Sequence, residues 1–197
     1  MLYNQQNPHG GDVYAAPVLL DFSANINPFG TPPAVLDAMQ RALPLVRQYP
    51  DPYCRALQAA IAAHENVQPS DVLCGSGAAE LIYAFCVAIR AGVGLTLAPT
   101  FSEYAAAFGH FGGQMLYFPR RREDGFLPQS TLLQMLEARC PDVLFLCTPN
   151  NPTGRLFPQA LLRDVLALCR RKNIRVLLDE CFLDFTDGQS MKDMLQD

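Results

Sequence analysis

Residues 143–154 read "VLFLCTPNNPTG": five apolar residues from Val143 to Cys147, then a polar turn holding two asparagines, two prolines and a glycine. A short apolar run bounded by proline and glycine reads as a buried strand that stops abruptly. Pro152 restricts Asn151 to an extended conformation, and Gly154 permits the turn that follows. Asn151 can therefore present an amide donor at a sheet edge, or it can satisfy its own turn; the stretch alone supports both.

Outward from this strand the pattern alternates. "GLTLAPTFSEYAAAFGHFG" from Gly94 reads as strand, turn and helix, "GQMLYFP" as the next strand, and Thr131 to Ala138 as a helix. Downstream, Pro158 to Lys172 is predicted as a helix that buries Leu161, Leu162, Val165, Leu166 and Leu168, before a strand in "IRVLLDE". Arg170, Arg171 and Lys172 sit at that helix's C-terminal end, where the helix dipole favours cations. Upstream, helices are expected over Pro33 to Leu43 and Arg55 to Asn66. "DVLCGSGAAELIYAFCVAIRAG" reads as a short strand, a glycine turn and an apolar helix. Strands apolar enough to be buried on both faces, alternating with helices, specify an α/β fold with a mostly parallel central sheet flanked by helices. Residues 1–33, rich in Asn, Gly and Pro, read as an N-terminal arm, and 34–197 as one large domain.

Composition narrows the function classes. A chain of 197 residues with 50% apolar content can bury a substantial core, and a net charge of -4 gives no electrostatic reason to expect nucleic acid or an anionic membrane. The basic run Arg120 to Arg122 reads as a solvated turn, with phosphate binding as its alternative. Seven cysteines without a Cys-x-x-Cys pair, and only three histidines, suit buried reduced thiols better than disulfides or a metal site. No secretory h-region or membrane-length apolar run is visible, so a cytoplasmic location is expected.

Ligands of open α/β sheets bind beyond the carboxyl ends of the strands, which makes one candidate site of three motifs. "GSGAAE", Gly75 to Glu80, joins strand to helix and offers free N–H groups to a phosphate, although a tight structural turn uses the same residues. A nucleotide-binding fingerprint would want a third glycine where Glu80 stands. Asn151 is the second element. Asp179, ending "VLLD" one helical crossover later, is the third; a carboxylate leaving an apolar strand needs a donor or cation, either a structural ion pair or a protonated ring nitrogen. Phosphate cradle, amide donor and carboxylate match the three polar groups of pyridoxal 5′-phosphate. Tyr104 adds an aromatic face for its ring, or is a core tyrosine.

The ordered set "GSGAAE … PTFSEY … CTPNNPTG … LLDECFLDF" resembles the fold-type I pyridoxal-phosphate enzymes of the aspartate aminotransferase superfamily, in its histidinol-phosphate aminotransferase branch. "HGGDV" followed by "LLDFSANINPFGTPP" is more similar to the related L-threonine-O-3-phosphate decarboxylases of cobalamin biosynthesis. The resemblance implies that Asp179 pairs with the cofactor's ring nitrogen and Asn151 donates to its phenolic oxygen near the substrate carboxylate. It implies that Tyr104 stacks on the ring and that the N–H groups of Gly77, Ala78 and Ala79 hold the phosphate. It further implies that Tyr49 reaches the phosphate of a partner subunit in a homodimer, and that His9, Gly10 and Asn25 contact a phosphorylated amino acid substrate.

Three departures qualify the match. Ala79 stands where relatives often carry Thr, Ser or Asp. Phe182 replaces a tyrosine usual in the aminotransferases, which favours the decarboxylase branch. The lysine to which relatives attach the cofactor, in a Ser/Thr-rich motif, has no counterpart: the chain contains only Lys172 and Lys192, neither in that context. The expectation is an N-terminal part of the enzyme, incomplete at the C-terminus and inactive alone.

Overall fold

The computed structural model describes residues 10–14 and 19–194. The chain divides into two compact units, Met1–Cys74 and Gly75–Asp197. Residues 34–74, assigned above to the large domain, thus share a unit with the N-terminal arm.

The first unit carries helices α1 (Pro33–Ala42) and α2 (Arg55–Glu65). Pro33 opens α1, where a missing N–H is no loss. Asn66 closes α2 in the left-handed conformation, with its N–H on the Ala62 carbonyl. The face of α1 expected from Ala34, Leu36, Met39 and Leu43 is present, but none of its residues is buried.

The second unit is a three-layer α/β arrangement. Strands β1 (Val93–Ala98), β2 (Gln114–Pro119), β3 (Val143–Cys147) and β4 (Arg175–Asp179) form one parallel sheet in the order β2-β1-β3-β4. Helices α3 (Ala78–Ile89) and α4 (Glu103–His110) cover one face, and α5 (Thr131–Arg139) and α6 (Gln159–Arg171) the other. The two-residue period of the strands sorts their side chains. Leu144 and Leu146 join Leu132, Leu136, Leu162, Val165 and Leu168 of α5 and α6, while Val143, Phe145 and Cys147 join Ile82, Cys86, Tyr104 and Phe108 of α3 and α4. All five residues of β3 are buried, as a central strand between two helical layers requires. Gly94 is needed where α4 meets the sheet: a Cβ there would lie 2.8 Å from the Phe108 ring.

Two local readings change. The strand expected in "DVLCG" is not formed. Val72 has extended backbone, but the segment has no ladder partner among the described residues, and pairing is what makes a strand. The run Arg120 to Arg122 is not wholly solvated. Arg120 is 5% exposed, its backbone N–H donates to the Ala98 carbonyl, and Nη1 donates to the Phe126 carbonyl at 3.4 Å. It continues the alternation of Leu116 and Phe118 on β2, so its stem follows them inward while Arg121 and Arg122 stay outside. Burial lowers its pKa to about 10, and its Nε has no hydrogen-bond partner among the described residues.

Candidate functional site

Parallel strands put all four carboxyl ends on one edge of the sheet. β3 and β4 are neighbours, and Cys147 is the register partner of Asp179, so the two turns that follow start side by side. Thr148 N–H donates to the Asp179 carbonyl at 2.9 Å and continues the ladder one step past the strands.

The paired asparagines have opposite roles. Asn150 is 1% exposed and fully engaged. Its Oδ1 accepts from the Thr100 hydroxyl at 2.8 Å, and its Nδ2 donates to Thr153 Oγ1 at 2.9 Å and to the Pro99 carbonyl at 3.2 Å. Its backbone N–H donates to the Arg155 carbonyl, and its carbonyl accepts from Gly154 N–H. Asn150 therefore ties the turn after β3 to the turn after β1. Asn151, half-buried with a cis bond to Pro152, has no side-chain hydrogen bond among the described residues. The turn chemistry that was the alternative for Asn151 belongs to Asn150.

This contrast gives a stability test. Asn150→Ala leaves buried partners unsatisfied and is expected to cost about 1–3 kcal/mol. Asn151→Ala is expected to cost less than about 0.5 kcal/mol, as at sites without such partners. Urea unfolding of both variants checks the difference, and equal losses would refute it.

Asp179 is held at both oxygens. Tyr104 Oη donates to Oδ2 at 2.6 Å, and the Cys181 backbone N–H donates to Oδ1 at 3.0 Å. Lone pairs remain for a cationic N–H from outside. Tyr104 itself is 0% exposed, lies face-on to Phe145 with ring centroids 5.9 Å apart, and has its pKa driven far up by burial and by the neighbouring Cys147 and Asp179. Its hydroxyl is the donor in the bond to Asp179. The ring-stacking role expected for Tyr104 does not fit this placement, because neither face is open. Its observed contact is with the carboxylate. The aromatic ring beyond the end of β1 is Phe101, half-buried and edge-on to Tyr104 at 5.7 Å. It lies within the same "PTFSEY" stretch, and only its burial distinguishes it from Tyr104.

At the start of α3, Gly77 adopts φ 86°, a region that favours glycine, and the helix has no side-chain N-cap. The N–H groups of Ala78 and Ala79 have no acceptor among the described residues, as the first turn of a helix dictates. Gly77 N–H is not free: it donates to the Gly75 carbonyl at 2.9 Å. Ser76 N–H is likewise engaged by the Glu80 carboxylate. A phosphate cradle here thus rests on Ala78 and Ala79, and Gly77 contributes the turn.

Gly10, Asn25 and Tyr49 belong to the first unit and are exposed; Tyr49 makes no ring contact among the described residues. His9 is outside the described residues. Lys172 caps α6 just before β4 begins, at the amino edge of the sheet. Lys192 is exposed in a 3-10 turn, Lys192–Met194. Phe182, half-buried, precedes the 3-10 turn Leu183–Phe185. All seven cysteines are free thiols, and the described residues contain no helix long and apolar enough to cross a membrane.

In three-layer α/β units ligands bind beyond the carboxyl ends of the strands, the edge where these polar groups lie. The chain belongs to the aminotransferase class I and II family, whose model matches residues 17–196. It is 37% identical over 187 residues to a threonine-phosphate decarboxylase of Salmonella typhimurium, covering 90% of this chain and 50% of that protein. It is 32% identical over 174 residues to a chloroplastic histidinol-phosphate aminotransferase of Nicotiana plumbaginifolia, covering 87% and 41%. Among solved structures, the histidinol-phosphate aminotransferase from Clostridium acetobutylicum superposes with a TM-score of 0.79 at 24% identity, over 90% of this chain and 52% of that one. A decarboxylase from Sulfurospirillum multivorans gives 0.67 at 27% identity, over 80% and 41%. The chain spans about half the length of the curated relatives it matches.

Proposed function

We propose that this chain carries the pyridoxal 5′-phosphate cradle of a decarboxylase acting on a phosphorylated amino acid, L-threonine O-3-phosphate. The observation that carries the reading is the neighbouring of two strand ends: after β3 an Asn151 amide without a hydrogen bond among the described residues, and at the end of β4 an Asp179 carboxylate held at both oxygens. The residues fit the group. Asp179 would face the protonated ring nitrogen, Asn151 the phenolic oxygen, and the Ala78 and Ala79 amides the phosphate, where the helix dipole favours negative charge. Phe101 offers the ring face in place of Tyr104.

When bound, such a cofactor supplies an electron sink for the pair released as a bond to the substrate α-carbon breaks. The chain's own residues orient it. Asp179 holds a proton on the ring nitrogen, since an ionised carboxylate beside it favours the charged form. Tyr104 keeps that carboxylate in place. Asn151 fixes the ring's rotation and presents its amide toward the substrate carboxylate.

Several assignments rest on the resemblance and belong to the same proposal. They are the homodimer in which Tyr49 reaches the partner's cofactor phosphate, the substrate contacts of His9, Gly10 and Asn25, a cytoplasmic location, and a place in cobalamin biosynthesis. Phe182, which cannot donate to a cofactor oxygen, favours decarboxylation over transamination. The whole protein is expected to release carbon dioxide from L-threonine O-3-phosphate to give (R)-1-amino-2-propanol O-2-phosphate, without 2-oxoglutarate. A strict requirement for 2-oxoglutarate, with no carbon dioxide released, would replace this reading with an aminotransferase.

A further inference from the structure

Beneath the two cofactor-facing residues lies a buried pair that the proposed chemistry does not use. Cys147 is 2% exposed and stands directly beside Asp179 in the ladder. Its thiol donates to the Pro149 carbonyl at 3.2 Å, two residues before Asn151. Tyr104 belongs to the same buried cluster as Cys147. Tyr104 in turn donates to Asp179 Oδ2 at 2.6 Å and is clamped by Phe145 and Phe101. The Cys147–Pro149 bond, the Cys147–Asp179 register pair and the Tyr104–Asp179 bond thus join the turn that carries Asn151 to the carboxylate on the neighbouring strand.

We propose that Cys147 and Tyr104 are positioning residues that hold Asn151 and Asp179 as a single unit. The Cys147 thiol fixes the turn through the Pro149 carbonyl, and the Tyr104 hydroxyl fixes the carboxylate. The physical need follows from the ligand's shape. A planar ring gripped at two opposite atoms tolerates little relative movement of its two holders, and misplacing either loses part of both contacts. Both groups suit the task because they stay protonated. Burial pushes the Cys147 thiol up and drives Tyr104 far above its usual range. Neither loses its donor near neutral pH, and neither touches the ligand.

The inference rests on the proposed cofactor site, and the test separates the two. Pyridoxamine 5′-phosphate is the probe, because it carries ring nitrogen, phenolic oxygen and phosphate but no aldehyde to react with lysines. Its affinity for the full chain is measured by fluorescence titration in two double-mutant cycles: Cys147→Ala with Asn151→Ala, and Tyr104→Phe with Asp179→Asn. Each positioning variant alone is expected to weaken binding about 5- to 10-fold, the effect of losing one hydrogen bond. In the double variants it is expected to add less than about twofold, because its partner is already gone. A merely structural role would lower affinity by the same factor in both backgrounds. Multiplicative effects in either cycle, or unchanged affinity in both single variants, overturn the relay while leaving the cofactor site standing. If the unsubstituted chain does not bind the probe, the cofactor reading falls and the relay with it. Should Cys147→Ala fail to fold, the Tyr104→Phe cycle decides, since that change keeps the ring packed on Phe145.

Discussion

Replacing Asp179 with alanine is expected to weaken pyridoxamine 5′-phosphate binding by about 10- to 150-fold. A hydrogen bond between ionised groups is worth about 1.5–3 kcal/mol, and each 1.4 kcal/mol is tenfold in affinity. The same variant is expected to lose stability, because the Tyr104 hydroxyl and the Cys181 N–H both give up their acceptor on Asp179. Leaving such groups unsatisfied costs about 1–3 kcal/mol. Asp179→Asn separates the two effects. It keeps an oxygen for Tyr104 or Cys181 but removes the charge, so binding falls while the unfolding midpoint moves less than in the alanine variant. Titration and urea unfolding on the two variants check this. An alanine variant that binds as well as the parent would remove Asp179 from the site.

Phe145→Ala is expected to destabilise the second unit by about 3–5 kcal/mol, the range for truncating a buried phenylalanine. The residue is 0% exposed at the centre of β3 and meets Phe85, Tyr104 and Phe108 at ring-centroid distances of 6.2, 5.9 and 5.6 Å. These neighbours come from α3 and α4, so the cavity would loosen both helices from the sheet at once. It would also remove the surface on which Tyr104 lies, and the probe's affinity should fall with stability. Denaturant unfolding should show a lower midpoint with little change in slope. A loss below about 1 kcal/mol would mean that β3 is not the centre of the core.

Much of this arrangement was legible in the sequence because it is local. The four paired strands and the helices between them follow from short apolar runs and 3.6-residue spacing, and β2, α5, β3, α6 and β4 formed within a residue of their expected bounds. That β3 and β4 are neighbours with their carboxyl ends at one edge was legible too, since one crossover helix separates these parallel strands.

The rest depends on contacts between distant residues. Tyr104 and Asp179 are 75 positions apart, and nothing near Tyr104 announces that its hydroxyl seeks a carboxylate. A stacking face and a buried donor look the same in one sequence. Asn150 and Asn151 are identical in type, and only the arrival of Thr100 and Pro99 from another turn shows which of them holds the loop. Arg120 reads as solvated because charge suggests water, yet its place in the β2 alternation draws it inward. Gly77 could be counted as an amide donor until its N–H was found on Gly75.

On the proposed reading, one edge of this sheet holds pyridoxal 5′-phosphate by its nitrogen, phenolic oxygen and phosphate. A crystal structure of the chain with pyridoxamine 5′-phosphate tests it most directly. The expected result is the ring nitrogen on Asp179, the phenolic oxygen on the Asn151 amide, and the phosphate on the Ala78 and Ala79 N–H groups. A ligand bound elsewhere, or at this edge with its nitrogen turned away from Asp179, would contradict the account.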